Sequence, residues 1–442
     1  MCNGLRQLAK RSCAVAFAML AFACAAHAQI GGVQLPRVEL PTAVTGTVNG
    51  TLGTVRNELG EVQRLSDLRQ LRVRELLRTQ RQLVERDPDG APVLRAEIVA
   101  FSPADAALDA ARSAGFSVAR ERVLDGLDAR VVVLHAPERM STRRALARLR
   151  ALDPTGSYDY NHIYLDSGVM NEGAGPEVLQ SRSTAPGSGI KVGLIDGGVD
   201  TSHPVFQDAV IHQHGCNDKP VPSPHGTAVA SLMIGRSQMF HGAAPGAELF
   251  AADVYCGSGV GGAVDAVVDA ISWIARERVP VMNISLVGPK NGTLENVVKL
   301  AVARGFVIVA AVGNDGASAP PLYPASYPGV IGVTAVDAHQ KVLLEACRGP
   351  QVDFAAPGAD MAAAMLSSTF AAVRGTSFAA PIVAGLLASR VREANAGVAE
   401  KAVAQLVSEA TDLGARGFDK VYGNGLVGDS LRTAPALALL KH

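Results

Sequence analysis

Neither sign of charge dominates this chain: Lys plus Arg and Asp plus Glu number 41 each in 442 residues, and only 19% of residues are charged. That overall balance points to neither nucleic acid nor an acidic membrane surface as a partner. Aromatics are scarce as well, at 5% with a single Trp, while 48% of residues are apolar. The core must then be built from aliphatic side chains and Ala, and a chain of this length divides into two compact units plus extras. Beyond residue 28 no apolar run reaches the roughly 20 residues that a membrane span needs. There is no internal repeat and no low-complexity tract. No serine stands in a Gly-x-Ser-x-Gly frame, which excludes the nucleophile elbow of α/β esterases and lipases.

Residues 1–28 read as an export signal. Arg6, Lys10 and Arg11 give the positive start, Cys13 to Ala26 is apolar, and Ala26-His27-Ala28 is a small-x-small cleavage site that would leave Gln29 first. The apolar stretch is too short for a membrane anchor. Ala21-Phe22-Ala23-Cys24 is set aside as a lipidation signal, since position 21 is Ala where Leu is expected. An exported chain ends up periplasmic or extracellular. Cys2, Cys13 and Cys24 leave with the signal, so Cys216, Cys256 and Cys347 remain: one disulfide and one thiol, with three pairings open and Cys216–Cys256 the one expected. A cysteine nucleophile is the rival use, but no Cys-His context supports it.

Residues 29–54 are rich in Pro, Gly, Thr and Val and have no helical period. Val55 to Arg86 turns helical, with Leu65, Leu68, Leu76 and Leu83 among many arginines, until Asp87-Pro88-Asp89-Gly90 breaks it. It reads as a solvated surface helix, against the alternative of a membrane- or acid-binding one. A domain over 93–165 follows in the order strand, helix, strand, strand, helix, strand: Val93–Phe101, a helix capped by Ser102 and opened by Pro103, Phe116–Val123, Arg130–His135, a helix from Ser141 to Leu152, and Tyr158–Leu165. This predicts a small α+β, ferredoxin-like sandwich. The stretch 166–189 reads as a linker, Gly-, Ser- and Pro-rich from Gly173.

From 190 to 442 apolar strands alternate with helices. Lys191–Ile195, Leu249–Val254, Val281–Leu286, Phe306–Val312 and Val330–Ala335 are candidate strands; Ala263–Arg278 and Thr293–Arg304 are candidate helices. The pattern predicts an α/β, doubly wound parallel sheet covered on both faces.

Ligands of such sheets bind beyond the carboxyl ends of the strands. Asp196 ends the first strand, His225 opens His225-Gly226-Thr227 before an apolar helical run, and Ser377 lies in Gly375-Thr376-Ser377-Phe378-Ala379-Ala380-Pro381 at the start of another. A serine there sits at the positive end of a helix, beside backbone N–H groups that can face an oxyanion. Alone, each residue has a plainer reading: a turn Asp, a packed His, an N-cap Ser.

Together, and in this order, the three motifs resemble those of the subtilisin-like serine proteases, the subtilases. Further matches are Ala243-Ala244-Pro245-Gly246-Ala247, Met282-Asn283-Ile284-Ser285-Leu286, Ala310-Ala311-Val312-Gly313-Asn314, Tyr323-Pro324-Ala325-Ser326-Tyr327-Pro328 and Ala356-Pro357-Gly358. The resemblance runs from about Gly189 to the C-terminus. It implies a serine endopeptidase with protein or peptide substrates, in which Ser377 is nucleophile, His225 the base, Asp196 its support and Asn314 an oxyanion donor. It also implies that Ser285, Leu286 and Val287 form an edge that pairs with extended substrate. The 93–165 domain resembles the family's propeptide, an intramolecular inhibitor and folding aid cut off within 166–189; a permanent accessory domain is the alternative. The sequence departs from the family at Gly197-Gly198, where Ser or Thr then Gly is usual, at Ala228 for His, and at Val287 for Gly, which changes the shape of the cleft. The rival activity is a protease-shaped binding protein whose cleft stays blocked.

No metal is assigned. His212-Gln213-His214 near Cys216 offers weak zinc spacing. Calcium is implied by the resemblance alone, since no acidic loop has EF-hand spacing.

Overall fold

The computed structural model describes residues 68–166, 168–171, 189–238 and 240–435. The signal, the Pro-rich lead and most of the linker lie outside the described residues. The described part belongs to the unit Glu58–His442.

Helix α1 covers residues 68–79. It is followed by β1 (Val84–Arg86), β2 (Pro92–Phe101), α2 (Asp105–Ser113), β3 (Ser117–Leu124), β4 (Ala129–His135), α3 (Thr142–Leu152) and β5 (Ser157–Asp166). The long strands form an antiparallel sheet in the order β5-β2-β4-β3, with β1 added beside β2. Strand alternation divides its side chains: Ile98 and Ala100 face α2 and α3 with Leu108 and Leu146, whereas Val99, Val131 and Val133 face the other way. Ser141 caps α3 by accepting from Arg144 N at 3.4 Å. Ser102 does not cap α2. Its backbone N–H donates to Arg130 O at 2.8 Å, so the sheet keeps Ser102 and the helix starts after Ala104 without a side-chain cap.

The helix expected over 55–86 ends at Thr79, and its face is not the expected one. Val73 and Leu76 are buried while Leu83 is 54% exposed. Leu76 packs with Val84, Ile163, Leu165 and Val260, so α1 is docked on β5 rather than solvated.

Next come β6 (Val169–Asn171), β7 (Lys191–Asp196), β8 (Ile211–His214), α4 (Pro224–Ile234), β9 (Glu248–Asp253), β10 (Gly262–Ala263), α5 (Val264–Arg276), β11 (Val281–Ile284), β12 (Leu286–Val287), α6 (Gly292–Ala303), β13 (Val307–Ala311), β14 (Val330–Val336), β15 (Phe354–Pro357), β16 (Met361–Ala364), β17 (Phe370–Arg374), α7 (Thr376–Ala388) and α8 (Ala396–Glu409). Seven strands form the central sheet in the order β15-β14-β13-β11-β7-β9-β8, all parallel. Val192 and Leu194 pack on the side of α4 and α7; Ile195 and Met282 pack on the side of α5 and α6. The chain runs outward from β7 in both directions, so the switch point lies between β7 and β11, where an open α/β sheet places its ligand.

The single strand expected over Val281–Leu286 breaks at Ser285. Its last residue, Leu286, joins Val287 in β12, which leaves the central sheet and pairs with β5. Residues 169–171, expected to be linker, form β6 against β17. Cys216 and Cys256 are joined in a disulfide, and Cys347 is a buried free thiol whose pKa burial pushes up to about 12, which makes it a poor nucleophile.

Candidate active site

Four residues from four elements meet beyond the carboxyl ends of the central strands. Asp196 is the last residue of β7, and its Oδ1 accepts from Gly197 N at 2.7 Å. His225 stands in the first turn of α4, which begins earlier than the apolar run suggests because Ser223 caps it, accepting from Gly226 N at 2.9 Å, with Pro224 behind. His225 Nδ1 lies 2.9 Å from both oxygens of Asp196. A carboxylate there holds Nδ1 protonated and leaves Nε2 as the basic nitrogen. His225 Nε2 is buried and makes no hydrogen bond.

Ser377 is the second residue of α7. Its hydroxyl donates to Ser285 O at 3.1 Å, while Ser285 Oγ donates back to Ser377 O at 2.9 Å. Asn283 Nδ2 donates to Ser285 Oγ at 2.9 Å, so the break between β11 and β12 is fixed by side chains. Asn314 follows β13, and its Oδ1 accepts from Thr376 N at 3.1 Å; Thr376 Oγ1 in turn accepts from Gly313 N at 3.1 Å. With its oxygen committed, the Asn314 carboxamide has only N–H donors to offer elsewhere.

The departure at Gly197 has a packing reason: an added Cβ would lie 2.3 Å from Ser223 Oγ and 2.8 Å from Ser223 Cβ.

The cleft is filled by the protein's own chain, and Ser377, His225 and Asn314 are 0%, 4% and 7% exposed. β5 lies between β12 and β10: Leu165 and Asp166 pair antiparallel with Val287 and Leu286, and Ile163 and Tyr164 with Ala263 and Gly262. On the far side, Val169 pairs with Arg374, three residues before Ser377. Gly168 sits between the two ladders, where an added Cβ would be 3.3 Å from His225 Nε2 and 2.4 Å from the Phe378 ring. Of the expected edge, Leu286 and Val287 carry the pairing, and Ser285 holds the Ser377 hydroxyl.

Polar contacts ring this crossing. Asn161 Nδ2 donates to Asp265 Oδ1 at 2.9 Å, Arg120 Nε reaches Asp265 Oδ2 at 3.0 Å, Gly292 N donates to Asp159 at 2.7 Å, and Asn291 Nδ2 donates to Tyr160 O at 2.9 Å. Asp265 and Asp159 both lie at helix N-termini, where carboxylates are favoured. From α1, Arg72 pairs with Asp166, and Arg69 Nε lies 2.9 and 2.8 Å from the two oxygens of Asp315. Sequence reading passed over Thr376, Asp315, Arg69 and Gly168. The spacing of Arg69 and Arg72, one helical turn apart, was the available signal.

His212 and His214 do not converge on a metal. The first stacks on Phe250 and meets Glu248; the second stacks on Trp273 and meets Asp269. Among the described residues one cluster of three metal-ligand types occurs, Cys216, Asp253 and Cys256. Its sulfurs are bonded to each other, and calcium takes oxygen donors, so the cluster does not fit calcium and no chemistry is routed through it.

The model of the Subtilase family matches residues 187–425, more than half of the chain. Subtilisin E of Bacillus subtilis is 35% identical over 254 residues, covering 54% of this chain and 65% of that protein; subtilisin of Bacillus pumilus is equally identical over the same length and is covered to 90%. Among solved structures, fervidolysin from Fervidobacterium pennivorans, a keratinolytic enzyme related to subtilisin, superposes with a TM-score of 0.64 at 21% identity, over 77% of this chain and 61% of that one. Motif order, sheet topology and family match agree: the chain belongs to the subtilase family.

Proposed function

We propose that this protein is a serine endopeptidase exported as a precursor, with Asp196, His225 and Ser377 as its triad and Asn314 as oxyanion donor. The observation that carries the reading is that Leu165 and Asp166 pair with β12 on one side of His225, and residues 169–171 with β17 on the other, in the register of an extended substrate.

In the reaction the Ser377 hydroxyl attacks a peptide carbonyl carbon and passes its proton to His225 Nε2. Asp196 stabilises the imidazolium through Nδ1–H. The carbonyl oxygen takes up the negative charge facing the Asn314 amide and the first-turn N–H of Ser377. Collapse breaks the C–N bond, and the leaving amine takes the proton from His225. Water then attacks the acyl-enzyme with His225 as base, restoring the hydroxyl and freeing the carboxylic acid.

The first substrate is the chain itself. Leu165 and Asp166 lie on one side of His225 and Val169 on the other, so the bond cut is that joining residues 167 and 168, and the new N-terminus is Gly168. The 93–165 domain then acts as intramolecular inhibitor until it leaves. A blocked binding protein would fill its cleft in the same way but would keep that bond. Secreted wild type and Ser377→Ala, treated with a serine-directed fluorophosphonate and measured by mass spectrometry, separate the readings. Wild type is expected to label at Ser377 and to start at Gly168; the variant stays unlabelled and starts near Gln29. An unlabelled wild type that keeps the 167–168 bond overturns the peptidase reading.

A further inference from the structure

The Cys216–Cys256 disulfide is a covalent link that the proposed chemistry does not use. It joins the loop after β8, which leads into α4 and His225, to the loop after β9, the strand paired with the one that ends at Asp196. Cys256 is exposed and Cys216 half-buried, so a small thiol can reach the bond from solvent. Both cysteines have left-handed backbone, with φ of 56° at Cys216 and 55° at Cys256, inside left-handed runs at 215–218 and 256–257. Gly, Asn and Asp accept that conformation readily; a cysteine does not. The crosslink therefore holds two unfavourable residues in place, and opening it lets both runs relax.

Between the two loops stands the Asp253 carboxylate, 3% exposed. Its Oδ2 accepts from Val221 N at 2.8 Å, and its Oδ1 accepts from Tyr255 N and Cys256 N, each at 2.9 Å. Two short routes lead from here to the triad. Along one, Val254 N donates to Asp196 O at 2.9 Å. Along the other, Pro222 bridges to Gly198, Ser223 N donates to Gly198 O at 2.8 Å, and Ser223 caps the helix whose first turn carries His225. A shift of these loops changes how the Asp196 carboxylate meets the His225 ring. Resting on the peptidase reading above, we propose that this disulfide is a redox switch of the active site. Closed, it holds Asp196 and His225 in register; opened by an external dithiol, it frees both loops and slows hydrolysis without unfolding the protein. In that step the S–S bond breaks and each sulfur gains one electron and one proton, giving two thiols. The dithiol loses two electrons and two protons and closes to its own disulfide.

Two measurements test it. The first needs no turnover. In the uncut Ser377→Ala chain, dithiothreitol should open Cys216 and Cys256 to iodoacetamide while buried Cys347 stays unlabelled. Amide hydrogen exchange at Val221 and Val254 should then quicken about tenfold, with β13 and β14 unchanged. A bond that dithiothreitol leaves intact, unchanged exchange at both residues, or loss of protection along the whole chain overturns the proposal. The second uses enzyme released by its own processing. With the bond opened, kcat on a peptide should fall about tenfold with less change in KM, and oxidised glutathione should restore it. The Cys216→Ser/Cys256→Ser double variant should show the low kcat and ignore dithiothreitol; where it does not fold, the reduced wild type decides alone. A kcat that stays at its starting value while mass spectrometry finds both cysteines reduced overturns the proposal. If the first measurement succeeds and no peptide is cut in either state, the peptidase reading falls, and the rate half of the proposal with it, while the coupling of the disulfide to the two loops stands.

Discussion

The two sheets of this protein bury their faces in different ways. Both faces of the central sheet are covered by helices of its own domain, α4 and α7 on one side and α5 and α6 on the other, with mostly aliphatic side chains. The N-terminal sheet owns one cover, α2 with α3; its other face borrows α5 and α6, in whose apolar cluster Val99, Leu127, Val131 and Val133 pack inside a ring of polar contacts. An apolar patch rimmed by hydrogen bonds and charges resembles an interface between partners more than the interior of a domain. In the proposed function the chemistry belongs to the first region and control over access to the second, which is joined to it by a strand in the cleft. The two can be disturbed independently.

Asn314→Ala acts on the first region alone. It should lower kcat by about 10² to 10³ with little change in KM, because the carboxamide does its work when charge reaches the carbonyl oxygen. Processing of the precursor should slow by a similar factor. Steady-state kinetics on a peptide and the rate of appearance of the shortened chain check this; an effect confined to KM would assign Asn314 to ground-state binding.

How far each region could be read from sequence follows the same division. The three motifs are short, contiguous and anchored to strand ends or helix starts, so the residues proposed to carry chemistry were legible from their combination and order, though not one at a time. The parallel sheet was legible because its strands are continuous apolar runs. Contacts between regions were not. Nothing local in Val281–Leu286 says that Ser285 breaks the strand and sends Leu286 and Val287 to another sheet, since a partner 120 residues away decides it. Nor does the helical period at 68–79 reveal that Leu76 packs against β5. The short strands β15, β16 and β17, rich in buried Ala, have no alternation to detect.

Gly126→Ala acts on the second region alone. Gly126 presses on the backbone of α5: an added Cβ would lie 2.4 Å from Ser272 O and 2.6 Å from Arg276 N. Main chain of a packed helix yields little, so the N-terminal domain must tilt or lift, at a cost of about 1–3 kcal/mol. In the full chain, after the 167–168 bond is cut, peptide hydrolysis should appear about ten- to a hundredfold sooner than in wild type. The final kcat should be unchanged, because residue 126 leaves with the inhibitor. The same lag in variant and wild type would show that this contact does not hold the domain.

The smallest effect concerns a group that stays with the central sheet before and after processing. Asp353, just ahead of β15, accepts from Gly332 N at 2.8 Å, yet burial outweighs that bond and raises its pKa from 3.8 to about 6. A carboxyl whose folded pKa is raised keeps its proton more readily in the native state than in the unfolded one. Its contribution to stability is therefore fully present below about pH 4 and is lost as pH rises through about 6. The loss at pH 8 is at most about 3 kcal/mol, and less with water reaching part of the side chain. Asp353→Asn keeps a carbonyl oxygen for Gly332 and removes the ionisation. Measured by urea unfolding in the uncut Ser377→Ala background, the variant should gain about 1 kcal/mol over its parent between pH 5 and pH 8. Other carboxylates, such as Asp87 with its lowered pKa, shift stability in the opposite direction and cancel in that difference. A variant that tracks its parent at both pH values would mean that Asp353 is ionised at no cost and that the turn before β15 is wetter than its packing implies.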